Sequence, residues 1–577
     1  MRFFTKHKAG NKVFVGRAGS RLVLSFALMA ALGASATAQR STTAQRSTTA
    51  VPADPDEKTL VHVLNRIGFG PNLGQVDRVR EIGLEAYIDQ QLTPERIPDT
   101  AIAGRLADFK TLQMTPRELA NEYYLPAMAE RRAAQQTANQ AMAKGGTGSD
   151  MMAPTEKRAP GRPGPGVQGP RLVMAELTQQ KLLRAAYSER QLDEVMVDFW
   201  FNHFNVFAGK GATRIYITEY ERDAIRPHAL GTFRELLGEV AQSPAMLFYL
   251  DNWQSTAPVD APTTLAAPGR RPGQRRLPPP PQRPAPQNRS KGINENYARE
   301  LMELHTLGVE GGYTQKDVQE IARAFTGWTI TQPRQGGEFR FDPRMHDDGE
   351  KQVLGVTIPR GGGRQDGERV LDILAKHPST AKFIATKLAR RFVGDEPPKA
   401  LVERAAARFR ETNGDISEVV RTIVTSPEFF ATASYRAKVK TPLEFVASAV
   451  RASGVDVQNS QPLIQAMTEM GMPPYMCQPP TGYADKAEAW VNTGALLSRM
   501  NFAVMLSSGG RLTRGGPGRG RGGVPTSSST DRVTQAQIAE QILAGDLSDN
   551  TRRTIAKAPT ELQKIALLLG SPDFQKR

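Results

Sequence analysis

A chain of 577 residues with a formal charge of +16, 51 Gly, 41 Pro and a single Cys is long enough to build one or two hydrophobic cores. One cysteine excludes an internal disulfide, a cysteine zinc site and an iron–sulfur site, so the fold depends on packing. The charge is unevenly placed: residues 1–38 hold +6, residues 144–171, 257–291 and 509–523 hold +3, +6 and +4, and the remaining body is left at −3.

A DNA-binding domain carries its basic stripe on folded elements, and this body is slightly acidic, so a nucleic-acid partner is not expected. The basic insertions hold almost no aromatics on which bases could stack. They suit contact with an anionic polysaccharide, or serve as solubilised linkers.

In chain order, residues 1–38 run from a basic n-region through the apolar stretch 22–32 to Ala36-Thr37-Ala38, the layout of a secretory signal peptide. That apolar core is too short for a permanent span and no other run of about eighteen apolar residues occurs. The expectation is an exported protein, periplasmic or extracellular, with no stable membrane span. The direct repeat AQRSTTAQRSTTA runs from Ala38 to Ala50, and residues 39–58 read as a disordered spacer, because nothing in the repeat can bury apolar area.

The body, 59–506, reads as helices at 59–67, 73–92, 115–143, 172–190, 192–201 and 218–242. Low-complexity insertions interrupt it at 144–171 and 257–291. Ser243-Pro244, Ser426-Pro427 and Ser571-Pro572 each have the N-cap plus first-turn proline pattern that opens a short helix. Residues 338–341 and 352–358 could pair as a hairpin around Met345-His346-Asp347-Asp348-Gly349. A Gly/Arg-rich linker, 509–530, leads to a helical segment, 531–577, expected to pack on the body. The fold class is therefore all-α, a multi-helix bundle with one minor β-hairpin and disordered Pro/Gly-rich insertions.

The best-ordered stretch is 292–328, GINENYARELMELHTLGVEGGYTQKDVQEIARAFTGW. It predicts two helices: one capped near Asn294 to Asn296 and stopped at Leu307 by Gly308, the other opened by a Thr314/Asp317 capping box. On a wheel, Asn296, Arg299, Glu300, Glu303 and Thr306 share one arc of about 120°, and His305 falls in the apolar arc opposite. The carboxylates and His305 thus lie on different faces, unlike the ligands of a zinc-binding HExxH helix. A solvated face with an Arg299–Glu303 pair, and a core histidine, account for the same residues.

This stretch, with HVLNRIGFGP at 62–71, VDFWFNHFNV at 197–206, MLFYLDN at 246–252 and FDPRMHDDGEKQVLG at 341–355, closely resembles the bacterial family DUF1800, a domain of unknown function. The resemblance covers nearly the whole mature chain. It implies no assigned activity, and it implies a DUF1501-type secreted protein as partner, since genes of the two families are often adjacent.

Two further constellations could carry chemistry. In Asp198-Phe199-Trp200-Phe201-Asn202-His203-Phe204-Asn205, aromatics surround polar groups at a helix end, where burial can control a histidine. His346 with Asp347 suits a divalent metal, though a polar turn explains it too. Joined, His203, His346, Asp347 and Glu300 would be metal ligands, with Glu300, Glu303, Arg299 and Asn296 as catalytic and orienting groups of a hydrolase acting on an envelope polymer. The competing reading is a non-catalytic envelope protein that binds anionic polysaccharide and a secreted partner. Cys477, in a Pro-rich loop, is expected to be a buried bystander. No GxSxG elbow, P-loop, CxxCH or GxGxxG before a helix occurs.

Overall fold

Local signals place most of the helices. Asn294 accepts a hydrogen bond from the Tyr297 amide at 3.1 Å, Gly308 takes φ +79° after the helix end, and Thr314 and Asp317 form a reciprocal capping box, as the helical-hairpin reading expects. Ser243, Ser426 and Ser571 cap the short helices Pro244–Tyr249, Pro427–Phe430 and Pro572–Gln575. The computed structural model describes residues 50–144, 165–258, 292–508 and 533–577, with the side chains of 141–144 and 165–168 left out. The expected signal peptide, most of the expected spacer and most of the low-complexity segments lie outside the described residues.

Three predicted helices are interrupted. The stretch 73–92 is two helices, Gln75–Ile82 and Leu84–Gln91, parted by Gly83 at φ +90°, a conformation that L side chains avoid. The stretch 115–143 opens with the capping box Thr115/Glu118, passes through a π turn at Ala120–Tyr124 and continues as Leu125–Lys144. The stretch 218–242 contains a second π turn, Tyr220–Ile225, and restarts at Phe233–Gln242 under a Thr232 cap. A π turn adds one residue to the turn, so it rotates all that follows by about 100° against an unbroken helix.

The strand expectation needs correction. Residues 338–341 and 352–358 do not pair with each other. Trp328–Ile330 (β1) pairs antiparallel with Phe339–Phe341 (β2), and Lys351–Val353 (β3) with Val356–Ile358 (β4). The second pair closes on Leu354 at φ +48° and Gly355 at φ +81°, a local turn that wins over the longer-range pairing because it closes the shorter loop.

The described residues from Ala50 to Arg577 form one compact unit. The helix Gln191–His203 runs through its core, with Trp200 fully buried and donating from Nε1 to the Ala229 carbonyl at 2.9 Å. Phe204, Phe233 and Phe409 continue the cluster at ring separations of 5.6–6.4 Å. Each such side chain contributes about 1.5–3 kcal/mol through burial. The helix Thr493–Ser508 packs on Glu561–Leu569, and Val439 bridges to Lys576. Among the described residues no helix is long and apolar enough to cross a membrane.

Candidate functional site

The helix Glu295–Glu300 runs into a third π turn, Leu301–Thr306. This shifts the wheel at its far end. Thr306, expected beside the carboxylates, is buried and donates to the Leu301 carbonyl at 2.7 Å, the i−5 partner that a π turn supplies. Asn296 is exposed. Arg299 reaches Gln315 at 2.8 Å, not Glu303, and Glu303 accepts from the Tyr313 hydroxyl at 3.3 Å. Partial burial and the neighbouring Glu303 raise the Glu300 carboxyl above its ordinary range, against the pull of Arg299. Glu300 and Glu303 thus stay together on a half-buried face.

His203 is turned the other way. Its Nε2–H donates to the His305 carbonyl at 3.0 Å, and the two rings lie 6.3 Å apart. Burial, then the charge of Lys387, push both imidazoles well below the usual histidine range, His305 to about 3. His62 is lowered likewise to about 3 by burial and Arg66. These groups are neutral when folded and take up protons when unfolded, so their contribution is intact above about pH 6.5 and is lost as pH falls toward 3. The chain should lose on the order of 2 kcal/mol per such histidine between pH 6.5 and pH 4. Urea unfolding across that range checks this: in His305→Gln the slope of stability with pH becomes shallower, and an unchanged slope refutes it.

His346 and Asp347 belong to a separate buried network. His346 Nδ1 hydrogen-bonds the Thr326 carbonyl at 2.8 Å, and Nε2 meets Asp366 at 3.2 Å. Lys351 Nζ lies 2.7 Å from the same Asp366 oxygen and donates to the Asp347 and Gly349 carbonyls. Arg323 clamps the Asp347 carboxylate at 2.7 Å. Burial would raise the Asp347 carboxyl, but the Arg323 hydrogen bonds, the Gly349 amide and the charges of Arg323 and Lys351 together outweigh it and hold it low. The histidine expected as a metal ligand therefore fastens the loop before β3 to the helix Gln365–Lys376, and the aspartate fastens that loop to the helix Gln315–Ala324.

Among the described residues no three His, Cys, Asp or Glu side chains are placed to hold a metal ion. The set His203, His346, Asp347 and Glu300 is not gathered: the His305 carbonyl holds His203, Thr326 and Asp366 hold His346, and Arg323 holds Asp347. The motif 198–205 instead anchors the loop 472–490: Asn202 and Asn205 donate to the carbonyls of Tyr483 and of Cys477 and Pro479, and Asp198 pairs with half-buried Lys181 at 2.8 Å. Cys477 is buried, and burial pushes its thiol up to about 11, so it stays protonated at neutral pH.

The largest cavities described include one of about 400 Å³ that collects arginines. Arg131 and Arg132 come from the helix Leu125–Lys144, Arg214 from Thr213–Glu219 and Arg334 from the loop between β1 and β2. Its apolar wall is Tyr124, Met128, Ile215 and Phe248. Ala127 with Arg131, and Met128 with Arg132, are i,i+4 pairs, so one helical face supplies both wall and charge. The π turn Ala120–Tyr124 delivers Tyr124, whose hydroxyl donates to the Arg214 carbonyl at 3.1 Å. Gly211 has φ +54°, and a Cβ there would stand 3.1 Å from the Phe248 ring, so glycine lets that ring close the floor.

No carboxylate lines this cavity, and none of the four guanidinium groups forms an ion pair or side-chain hydrogen bond among the described residues. Arg214 Nε is wholly buried without a partner. Guanidinium groups keep their charge and offer a fork of donors matched to carboxylate, sulfate or phosphate. A volume of this size lies in the range of small-ligand sites, with a mostly apolar lining and few polar groups. The site can therefore hold an anionic group while an apolar ring face rests on Tyr124 and Phe248. Sequence reasoning missed it because four arginines spread over 131–334 show no spacing, and because the basic charge drew attention to the insertions. Arg131-Arg132 on a helix with no acid at i±3 or i±4 of either residue was the available signal.

Neither the curated proteins nor the solved structures give a match. The family described as "Protein of unknown function (DUF1800)" matches residues 62–576, nearly the whole chain, and the chain belongs to this family.

Proposed function

We propose that this protein is an exported, non-catalytic binding protein that holds acidic polysaccharide of the envelope or extracellular space in the arginine-lined cavity. The observation that carries this reading is the set of four guanidinium groups, without counter-charge among the described residues, around about 400 Å³ of partly apolar space. Uncompensated arginine is costly unless solvent or a ligand meets it, and sugar rings offer both an apolar face and, in uronates, a carboxylate. Export rests on the signal-peptide layout of residues 1–38.

The metal-dependent hydrolase reading has less support, since His203, His346 and Asp347 are each engaged in buried contacts. A DUF1501-type partner rests on the family resemblance alone. Co-sedimentation tests the binding reading. The chain should follow an insoluble uronate polymer, ignore neutral dextran gel, and be released as salt rises from about 0.05 M to about 0.5 M, where screening shortens to a few ångströms. Equal retention on both polymers, or retention indifferent to salt, contradicts it.

A further inference from the structure

Away from that pocket, Glu444 sits within a buried cluster of cations. Arg391 Nη2 and Arg577 Nη2 both reach its Oε1 at 2.9 Å, and Arg577 Nη2 also donates to the Arg391 carbonyl at 3.2 Å. Lys438 pairs with Asp395 and donates to the Asp485 carbonyl at 3.2 Å. Behind them the fully buried Arg66 donates to the Ser434 carbonyl. Burial would raise the Glu444 carboxyl, but the Arg577 and Arg391 charges overcome it and hold the group down at about 2.

One carboxylate does not satisfy these donors. Arg391 Nη1, Arg577 Nε and Nη1, and Arg66 Nε and Nη1 are buried with no partner. A guanidinium cannot shed its charge, and an unmet buried donor is costly. Arg391 and Arg577, the latter 4% exposed, both line a cavity of about 40 Å³ closed by Thr441, Tyr483 and Trp490. That volume is too small for an organic ligand and holds a few waters or one small ion. Asp198, Glu444 and Asp485 also line it. Asp198 is met by Lys181 and Glu444 by two guanidinium groups, while Asp485 meets Lys438 through its backbone carbonyl, so several free guanidinium donors share the wall with one carboxylate, a balance that favours a monovalent anion over a divalent oxyanion.

We infer that this cavity is a structural halide site, in which Arg391 and Arg577 share one chloride ion beside Glu444. The ion would tie Arg577, next to the strand-like pairing of Val439 with Lys576, to Arg391 on the helix Pro378–Phe392.

The full chain, dialysed into gluconate salts at constant ionic strength, is titrated with chloride and followed by thermal unfolding. Chloride and bromide should each raise Tm by about 3 °C at roughly a hundredfold excess over Kd, and sulfate should not. Arg391→Met should abolish the response. Should that variant fail to fold, anomalous scattering from bromide in crystals of the unmodified chain reads the same site, with a peak expected between Arg391 and Arg577. A Tm identical in chloride and gluconate, an equal rise with sulfate, or an empty bromide map at the cavity overturns the inference and leaves water as the occupant.

Discussion

Arg214→Gln should weaken binding of a uronate oligosaccharide by about 10- to 100-fold, the loss of one charged hydrogen bond worth about 1.5–3 kcal/mol. Arg214 is the deepest of the four arginines: it is half-buried with its Nε sealed from solvent and unpartnered, while Arg131, Arg132 and Arg334 are exposed at the rim. A rim arginine is screened and mobile, so Arg131→Gln or Arg334→Gln should cost about threefold each, in the manner of surface charge pairs. The order matters more than the sizes. Folding should be indifferent to all three substitutions, because no intramolecular partner is lost among the described residues. Calorimetric titration of each variant gives the affinities, and urea midpoints confirm that stability is unchanged. A rim substitution more damaging than Arg214→Gln contradicts the placement of the anion at the base of the pocket.

Asp366→Asn should destabilise the fold by about 3–5 kcal/mol, the usual consequence of removing one partner from a buried ion pair. Asp366, Lys351 and His346 are each fully buried, and Asp366 is the only carboxylate within ion-pair distance of Lys351 among the described residues. Burial alone would raise the Asp366 carboxyl, but hydrogen bonds from His346 and Lys351 outweigh that and keep it low. Without the charge, the Lys351 ammonium keeps only the Asp347 and Gly349 carbonyls. Lys351→Met alone should also destabilise, and the double variant should be less destabilised than the two singles added together, since neither charge is then stranded. Simple additivity in urea unfolding refutes a direct pair. This substitution also separates structure from function: sugar binding by the folded fraction should be unaffected.

Much of the architecture was legible because caps and breaks are local. Thr314/Asp317, Asn294, Gly308 and the three Ser-Pro steps each act within four residues of themselves, and the structure uses them as the sequence suggests. His305 was placed correctly in the core by its wheel position. The π turns were not legible. They need only one extra residue in a turn, leave no composition signature, and moved Thr306 and Tyr124 off the positions that 100° steps assign. Strand partners failed for a related reason: three-residue strands carry too little alternation to fix register, so the turn at Leu354-Gly355 decided the pairing.

The candidate site was less legible still. Residue chemistry identified the polar groups at His203, His346 and Asp347 but could not say whether they faced a cavity or one another's backbone. In the structure they satisfy buried carbonyls and cations, which is the commoner fate of a buried polar group. The arginine pocket draws on four segments, and only the fold reveals that their guanidinium groups share a space.

The most direct measurement is calorimetric titration of the full chain with one oligouronate and with its fully methyl-esterified form, identical in sugar but without charge. The acidic form should bind at least tenfold more tightly, with the advantage shrinking as salt is added. Equal affinity for the two forms would mean that the arginines do not read the carboxylates, and the proposed role for the pocket would fail.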